Sequence, residues 1–151
     1  MQALLASDLD DALPYVLALA RERGPASTRL YRYLQRDVAH LAGSPYNLSG
    51  VYTEEVMGDP EFASWARKRE RLHGAVERIV MDGIASGEFV RVPSRLIREA
   101  IAGILVRTLM LYSGRPGAPA VLHDEIAGFV LRGLLTDPDR LDEIRRAAEG
   151  P

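Results

Sequence analysis

The sequence predicts a single all-α domain, and three observations predict it. Proline and glycine punctuate segments of helix length, and apolar residues inside those segments recur at three- and four-residue spacing. Strand-type alternation is confined to Glu88-Phe89-Val90-Arg91-Val92, bounded by Gly87 and Pro93. At 151 residues the chain fits one domain over its full span, 1–151, and buries enough surface to hold a core without disulfides or metal.

The first helix is expected from about Gln2 to Arg23, with Leu5, Leu9, Leu13, Val16, Leu17 and Ala20 along one side. Pro14 should kink or split it, because proline removes a donor and crowds the preceding turn, and Gly24-Pro25 ends it. The second helix opens near Ala26-Ser27-Thr28 and carries Leu30, Leu34, Val38 and Leu41 on one face, with Tyr31 and Tyr33 to either side. Gly43-Ser44-Pro45 stops it, and Tyr46 to Met57 reads as one or two short turns.

Asp59-Pro60 opens the third helix as N-cap and first-turn proline, and Gly87 closes it as the left-handed C-terminal residue. Trp65, Leu72, Val76, Ile79, Val80, Gly83 and Ile84 fall on one arc of about 140°, a core-facing width, with Arg67, Arg71, Arg78 and Asp82 opposite. The fourth helix, from about Pro93 to Tyr112, begins polar with Arg95, Arg98 and Glu99. From Ala100 to Leu111 it is apolar all round except for Arg107 and Thr108. Such a helix must be covered on every side, and part of the cover is expected from a second subunit. The fifth, from about Ala118 to Leu135, is also two-faced: Leu122, Ile126, Phe129, Val130 and Gly133 oppose Val121, Leu131 and Leu135. After Thr136-Asp137-Pro138, Leu141 and Ile144 mark a short terminal helix or a frayed tail from about 138 to 151.

Composition excludes several classes of function. The chain has no cysteine, so thiolate metal sites, iron–sulfur clusters and cysteine nucleophiles are ruled out. Its 19 basic and 21 acidic residues leave a net charge of −2, which gives no footprint for a phosphate backbone, so this chain alone is not expected to bind nucleic acid. No segment reaches the ~20 apolar residues of a membrane span. Met1 leads into the acidic Asp8, Asp10 and Asp11 rather than a signal peptide, and the cytoplasm is the expected compartment. There is no Gly-x-Ser-x-Gly elbow, phosphate-binding glycine loop or His-Glu-x-x-His. No enzymatic activity and no cofactor are expected.

The order of these helices carries a resemblance, together with Leu30-Tyr31-Arg32-Tyr33-Leu34, His40-Leu41-Ala42-Gly43-Ser44-Pro45-Tyr46-Asn47-Leu48 and Gly83-Ile84-Ala85-Ser86-Gly87-Glu88-Phe89 leading into Pro93. Over nearly its whole length the chain resembles the C-terminal domain of the TetR family of bacterial transcriptional regulators. The resemblance implies a homodimer whose last two long helices pair with their symmetry mates as a four-helix bundle. It also implies a small-molecule effector held among the preceding helices, and regulation, read as repression, through the spacing of DNA-reading heads. The family's N-terminal helix-turn-helix domain has no counterpart in the sequence, so no DNA-reading residue is carried over. A stand-alone helical ligand-binding protein and a metal-dependent helical-bundle enzyme are the alternatives.

The metal alternative rests on Glu70-Arg71-Leu72-His73 and the weaker Asp37-Val38-Ala39-His40, since paired Glu-x-x-His helices build di-iron sites. Against it, Glu70 lies off the apolar arc and Arg67, Lys68, Arg69 and Arg71 surround it with positive charge. His73 is either a core-edge histidine with a satisfied hydrogen bond or one of the few polar groups in an apolar ligand cavity. The ligand-binding residues expected are Tyr33, Trp65, Arg69, His73, Thr108 and Tyr112, around a small, largely apolar molecule bounded by helices two to four. Arg107 shares a stripe with Ala100, Gly103, Ile104 and Leu111. It pairs with Glu125 or Asp124 of its own chain or the mate's, or else it faces an anionic effector. The dimer interface is expected at Gly103, Ile104, Arg107, Leu122, Ile126, Phe129 and Val130.

Overall fold

The computed structural model describes residues 2–46 and 58–151, with side chains from residue 9 onward. The expected turns from Tyr46 to Met57 therefore lie outside the described residues beyond Tyr46 itself. Among the described residues six α-helices follow in order: α1 Gln2–Arg21, α2 Ala26–Gly43, α3 Ala63–Ser86, α4 Ser94–Tyr112, α5 Leu122–Leu134 and α6 Leu141–Glu149. Single 3₁₀ turns at Pro60–Phe62 and Pro138–Arg140 lead into α3 and α6.

The α2 helix is the central strut. It packs against α1, α3, α4, α5 and α6, while α1 lies along α3 and α3 along α4. Val16, Leu30, Leu34, Val38, Ile79, Val80, Leu109 and Leu131 are fully buried where these helices meet. Removing that apolar surface from water is the main force holding the bundle. No helix of the described residues is long and apolar enough to cross a membrane.

Of the kink or split expected at Pro14, the split does not occur, and α1 continues through it. Pro14 and Asp10 both lie exposed, so the Asp10 carbonyl that loses its intrahelical partner does so on the solvent side. The opening of α3 follows the Asp59-Pro60 signal: Asp59 accepts a hydrogen bond from the Glu61 amide at 2.9 Å, and a 3₁₀ turn precedes the α-helix proper. The segment from 138 to 151 is not a frayed tail, because Leu141 and Ile144 are buried. Arg145 also donates to the Tyr31 hydroxyl at 3.2 Å, fixing α6 against α2.

In the Gly83 to Phe89 motif Gly83, Ser86, Gly87 and Glu88 each have a distinct job. Gly87 adopts φ 82°, the left-handed conformation that ends a helix. The Phe89 amide then turns back to the Gly83 carbonyl at 3.0 Å, and its ring packs against Gly83, where any Cβ would overlap it. The short alternating segment beyond it forms an isolated antiparallel bridge, Phe89 to Leu135, rather than a strand of a sheet. The Glu88 carboxylate reaches the start of α2, accepting from the amides of Ala26 at 3.0 Å and Ser27 at 3.2 Å and from the Ser27 hydroxyl at 2.6 Å. It also accepts from the Ser86 hydroxyl at 2.9 Å. Pro25 offers α2 no side-chain cap, and the carboxylate of a residue 62 positions away takes that place.

Two buried arginines tie the helices together. Arg29 donates to the Leu19 carbonyl at 3.2 Å near the end of α1 and pairs with Asp82 of α3 at 3.2 Å. Arg98, whose side chain is 8% exposed, joins Glu70 at 2.9 Å and Glu77 at 3.2 Å on α3 and Glu99 at 3.0 Å on its own helix. Within the polar start of α4, Arg98 is therefore an attachment to α3, while Arg95 and Glu99 stay exposed.

Candidate functional site

A cavity of about 50 Å³ lies among α1, α2, α3 and α4. Its walls are mostly aliphatic, with Leu9 and Ala12 from α1, Leu72 from α3, and Leu105 and Leu109 from α4. Four polar side chains interrupt them: Tyr33 and Asp37 from α2, and Arg69 and His73 from α3. In each pair the two residues are four apart, which places them on one face of their helix one turn apart.

Each charged group is held by an aromatic residue one turn earlier. The Tyr33 hydroxyl donates to Asp37 Oδ2 at 3.3 Å. The Arg69 guanidinium lies over the Trp65 ring, 5.5 Å from its centre, a cation–π contact. Burial first, and the Arg69 guanidinium second, push the His73 pKa below its ordinary value, with Glu99 and Glu70 opposing and Arg98 assisting. The imidazole is thus neutral at neutral pH and can donate from one ring nitrogen while accepting at the other.

On the far side of α4 lies a second concavity. Because α4 and α5 both pack on α2 and scarcely touch one another, an open groove of about 510 Å³ runs between them. Ile97, Ala100, Ile101 and Ile104 of α4 form one bank, and Phe129 and Val130 of α5 belong to the other. Phe129 is 68% exposed. A single helix therefore separates a cavity with a polar cluster from an exposed apolar groove.

The residues singled out in the sequence are distributed as follows. Tyr33, Arg69 and His73 line the cavity. Trp65 is buried behind Arg69 and outside the lining. Thr108 is buried but turns its hydroxyl to the Ile104 carbonyl at 2.9 Å, back into its own helix, and Tyr112 also lies outside the lining. Ile104, Phe129 and Val130 border the groove. Gly103 and Arg107 are exposed on α4, and Leu122 and Ile126 are partly buried on α5.

Within the subunit Arg107 makes no ion pair among the described residues. Asp124 is engaged elsewhere, accepting from the Tyr31 hydroxyl at 2.8 Å and from Gln35 at 3.1 Å. Nor does Arg107 line the cavity, where the acidic and basic side chains among the described residues are Asp37, Arg69 and His73. Sequence reasoning left the aliphatic lining out of the site and, among the polar cavity residues, Asp37. Its signal was its place one turn after Tyr33, on the same face. The two candidate metal pairs diverge: Glu70 is held by Arg98 while His73 points inward, and Asp37 is buried while His40 is exposed. No group of three or more His, Cys, Asp or Glu suited to a metal occurs among the described residues.

No protein-family model matches the chain. No curated protein matches it either. Among solved structures, it is similar to AmtR from Mycobacterium smegmatis, with a TM-score of 0.76 and 24% sequence identity over 98% of this chain and 70% of that one. The all-helical architecture is accordingly TetR-like in its fold.

Proposed function

We propose that this chain is the effector-binding and dimerisation part of a TetR-like transcriptional regulator acting as a repressor, in which α4 transmits the state of the cavity to a second subunit. The observation that carries the reading is the position of α4. Ala102, Leu105 and Leu109 face the cavity, while Ala100, Ile101 and Ile104 face the apolar groove. The similarity of fold to AmtR supports it. In this reading operator DNA is contacted by a head domain outside these 151 residues, in keeping with the net charge of −2.

Groove and exposed Phe129 are covered by the same surface of a second copy. Exposed apolar area of this kind is what subunit association removes from water. A small, largely apolar molecule entering the cavity displaces the α4 side chains that line it, and the two subunits change their relative placement. Pockets for drug-sized ligands run to ~300–1,000 Å³, so a cavity of about 50 Å³ must open to admit one, and α4 is a wall that can move. A molecule with unequal affinity for two arrangements of the dimer shifts the balance between them, and a coupling of ~1–3 kcal/mol is enough to switch an operator complex.

A thermal-shift screen of hydrophobic drugs, acyl-CoA esters, fatty acids and aromatic metabolites tests the ligand half of the reading. Stabilising compounds are expected, and His73→Ala is expected to weaken them. Compounds that stabilise the protein regardless of that substitution would place the binding site elsewhere.

A further inference from the structure

We propose that Arg107 of α4 pairs with Glu125 of the partner subunit, and that this pair, made twice across a two-fold axis, selects which ends of the two subunits meet. This deepens the dimer reading above and rests on it.

Both residues are exposed and neither is engaged within the subunit. Among the described residues Arg107 and Glu125 make no ion pair and no side-chain hydrogen bond. The first turn of α5 has two acidic residues, Asp124 and Glu125. Asp124 is already held by Tyr31 and Gln35 of α2, so Glu125 is the carboxylate left to face a second copy.

Helical phase puts the two charges beside the apolar groove. Seven residues make nearly two turns, so Arg107 falls within about 20° of Ala100 on α4, and Glu125 within about 20° of Arg132 on α5. Ala100 and Arg132 both line the groove. The segment entering α4 is hydrogen-bonded to the end of α5, with the Val90 amide donating to the Leu134 carbonyl at 2.8 Å. The start of α4 therefore lies beside the end of α5, and the two helices run in opposite directions. Following α4 forward from Ile104 and α5 backward from Phe129 leads to one and the same end of the groove, where Arg107 and Glu125 stand.

In a two-fold dimer every contact occurs twice, so the joined surface must complement itself. This end of the groove does, with a cation on one helix and an anion on the other. The opposite end carries two exposed cations, Arg95 on α4 and Arg132 on α5. When like ends meet and α4 lies against the other copy's α5, Arg107 faces Glu125 of the partner subunit and the reciprocal pair forms. When opposite ends meet, Arg107 faces Arg132 of the partner subunit, and the attraction between Glu125 and Arg95 only offsets that repulsion. An exposed ion pair adds little affinity, so the effect of this one lies in rejecting the wrong arrangement.

Charge reversal tests the pair. Arg107→Glu creates two like-charged contacts in its own homodimer, and so does Glu125→Arg, whereas one chain of each restores two attractive contacts. Because neither side chain engages its own subunit, both variants should keep the wild-type helical circular dichroism. Coexpressed with distinguishable tags and counted by native mass spectrometry, they should form mixed dimers in roughly tenfold or greater excess over either homodimer, where random pairing gives about twofold. A chain carrying both reversals should dimerise as tightly as the wild type. Mixed dimers at the random ratio, or a double variant weaker than both single ones, would overturn the pair; with a dimeric wild type, either result leaves the dimer reading standing. A monomeric wild type would remove the pair and the dimer reading together.

Discussion

Glu88 links the end of α3 to the start of α2, two parts of the chain far apart in sequence, and its charge state is part of that link. Burial alone would raise its carboxyl pKa, but the hydrogen bonds from Ser27, Ser86 and the amides of Ala26 and Ser27 outweigh burial and hold it below the ordinary value. A depressed native pKa means that the unfolded chain takes up the proton more readily. The stabilisation is therefore present in full above the unfolded value of 4.5 and is lost as pH falls below it. Replacing Glu88 with Ala should cost about 1–2 kcal/mol at pH 7, the usual worth of a helix cap, with a smaller difference from wild type at pH 3. Urea denaturation at the two pH values measures both. Gly83 offers a test with a diagnostic sign. An ordinary mid-helix Gly→Ala change stabilises by up to ~1 kcal/mol, but here the new methyl overlaps the Phe89 ring, so Gly83→Ala should destabilise by ~1–3 kcal/mol. Adding Phe89→Leu to it should recover part of the loss in the same denaturation experiment.

At the scale of elements, the sequence was most legible where helices begin and end. Gly43, Asp59-Pro60, Gly87 and Pro93 act locally, through backbone geometry and missing donors, and the observed boundaries lie close to them. Less legible was whatever depends on a partner distant in the chain. Arg98 reads only as part of a polar stretch near the start of α4, yet it is buried because Glu70 and Glu77 of α3 wait one helix away. Nothing in the local pattern at Pro25-Ala26 announces a cap from Glu88. Whether Pro14 splits its helix likewise depends on what its orphaned carbonyl faces. In the candidate site, Tyr33, Arg69 and His73 could be found by helical phase on an inward face. Asp37 was obscured by its place in a metal-like spacing, and Thr108 turns to its own backbone, which phase alone does not reveal. The Arg98 hub yields a prediction at this scale. Arg98→Leu leaves Glu70, Glu77 and Glu99 without their shared cation and should destabilise by about 2 kcal/mol, below the full cost of a buried pair because Glu70 and Glu99 are solvent-accessible. Thermal denaturation reads this, and 0.5 M salt should restore little of it, since the guanidinium itself is buried.

For the molecule as a whole, one helix serves two surfaces. The α2 strut fixes α4 and α5 from behind, α3 holds the start of α4 through Arg98, and the faces of α4 and α5 along their shared groove stay open. A movement of α4 against the cavity is thereby a movement of that apolar face. Because the coupling needs a second subunit on the face, the oligomeric state tests the account most directly. Light scattering at micromolar concentration should give the wild-type protein twice the 16.7 kDa mass of one chain. Phe129→Arg, which puts a charge where packed apolar surface must be dry, should give the mass of a single chain with its helical circular dichroism intact. A wild-type protein that is monomeric under these conditions, or a Phe129→Arg protein that stays dimeric, would contradict the account.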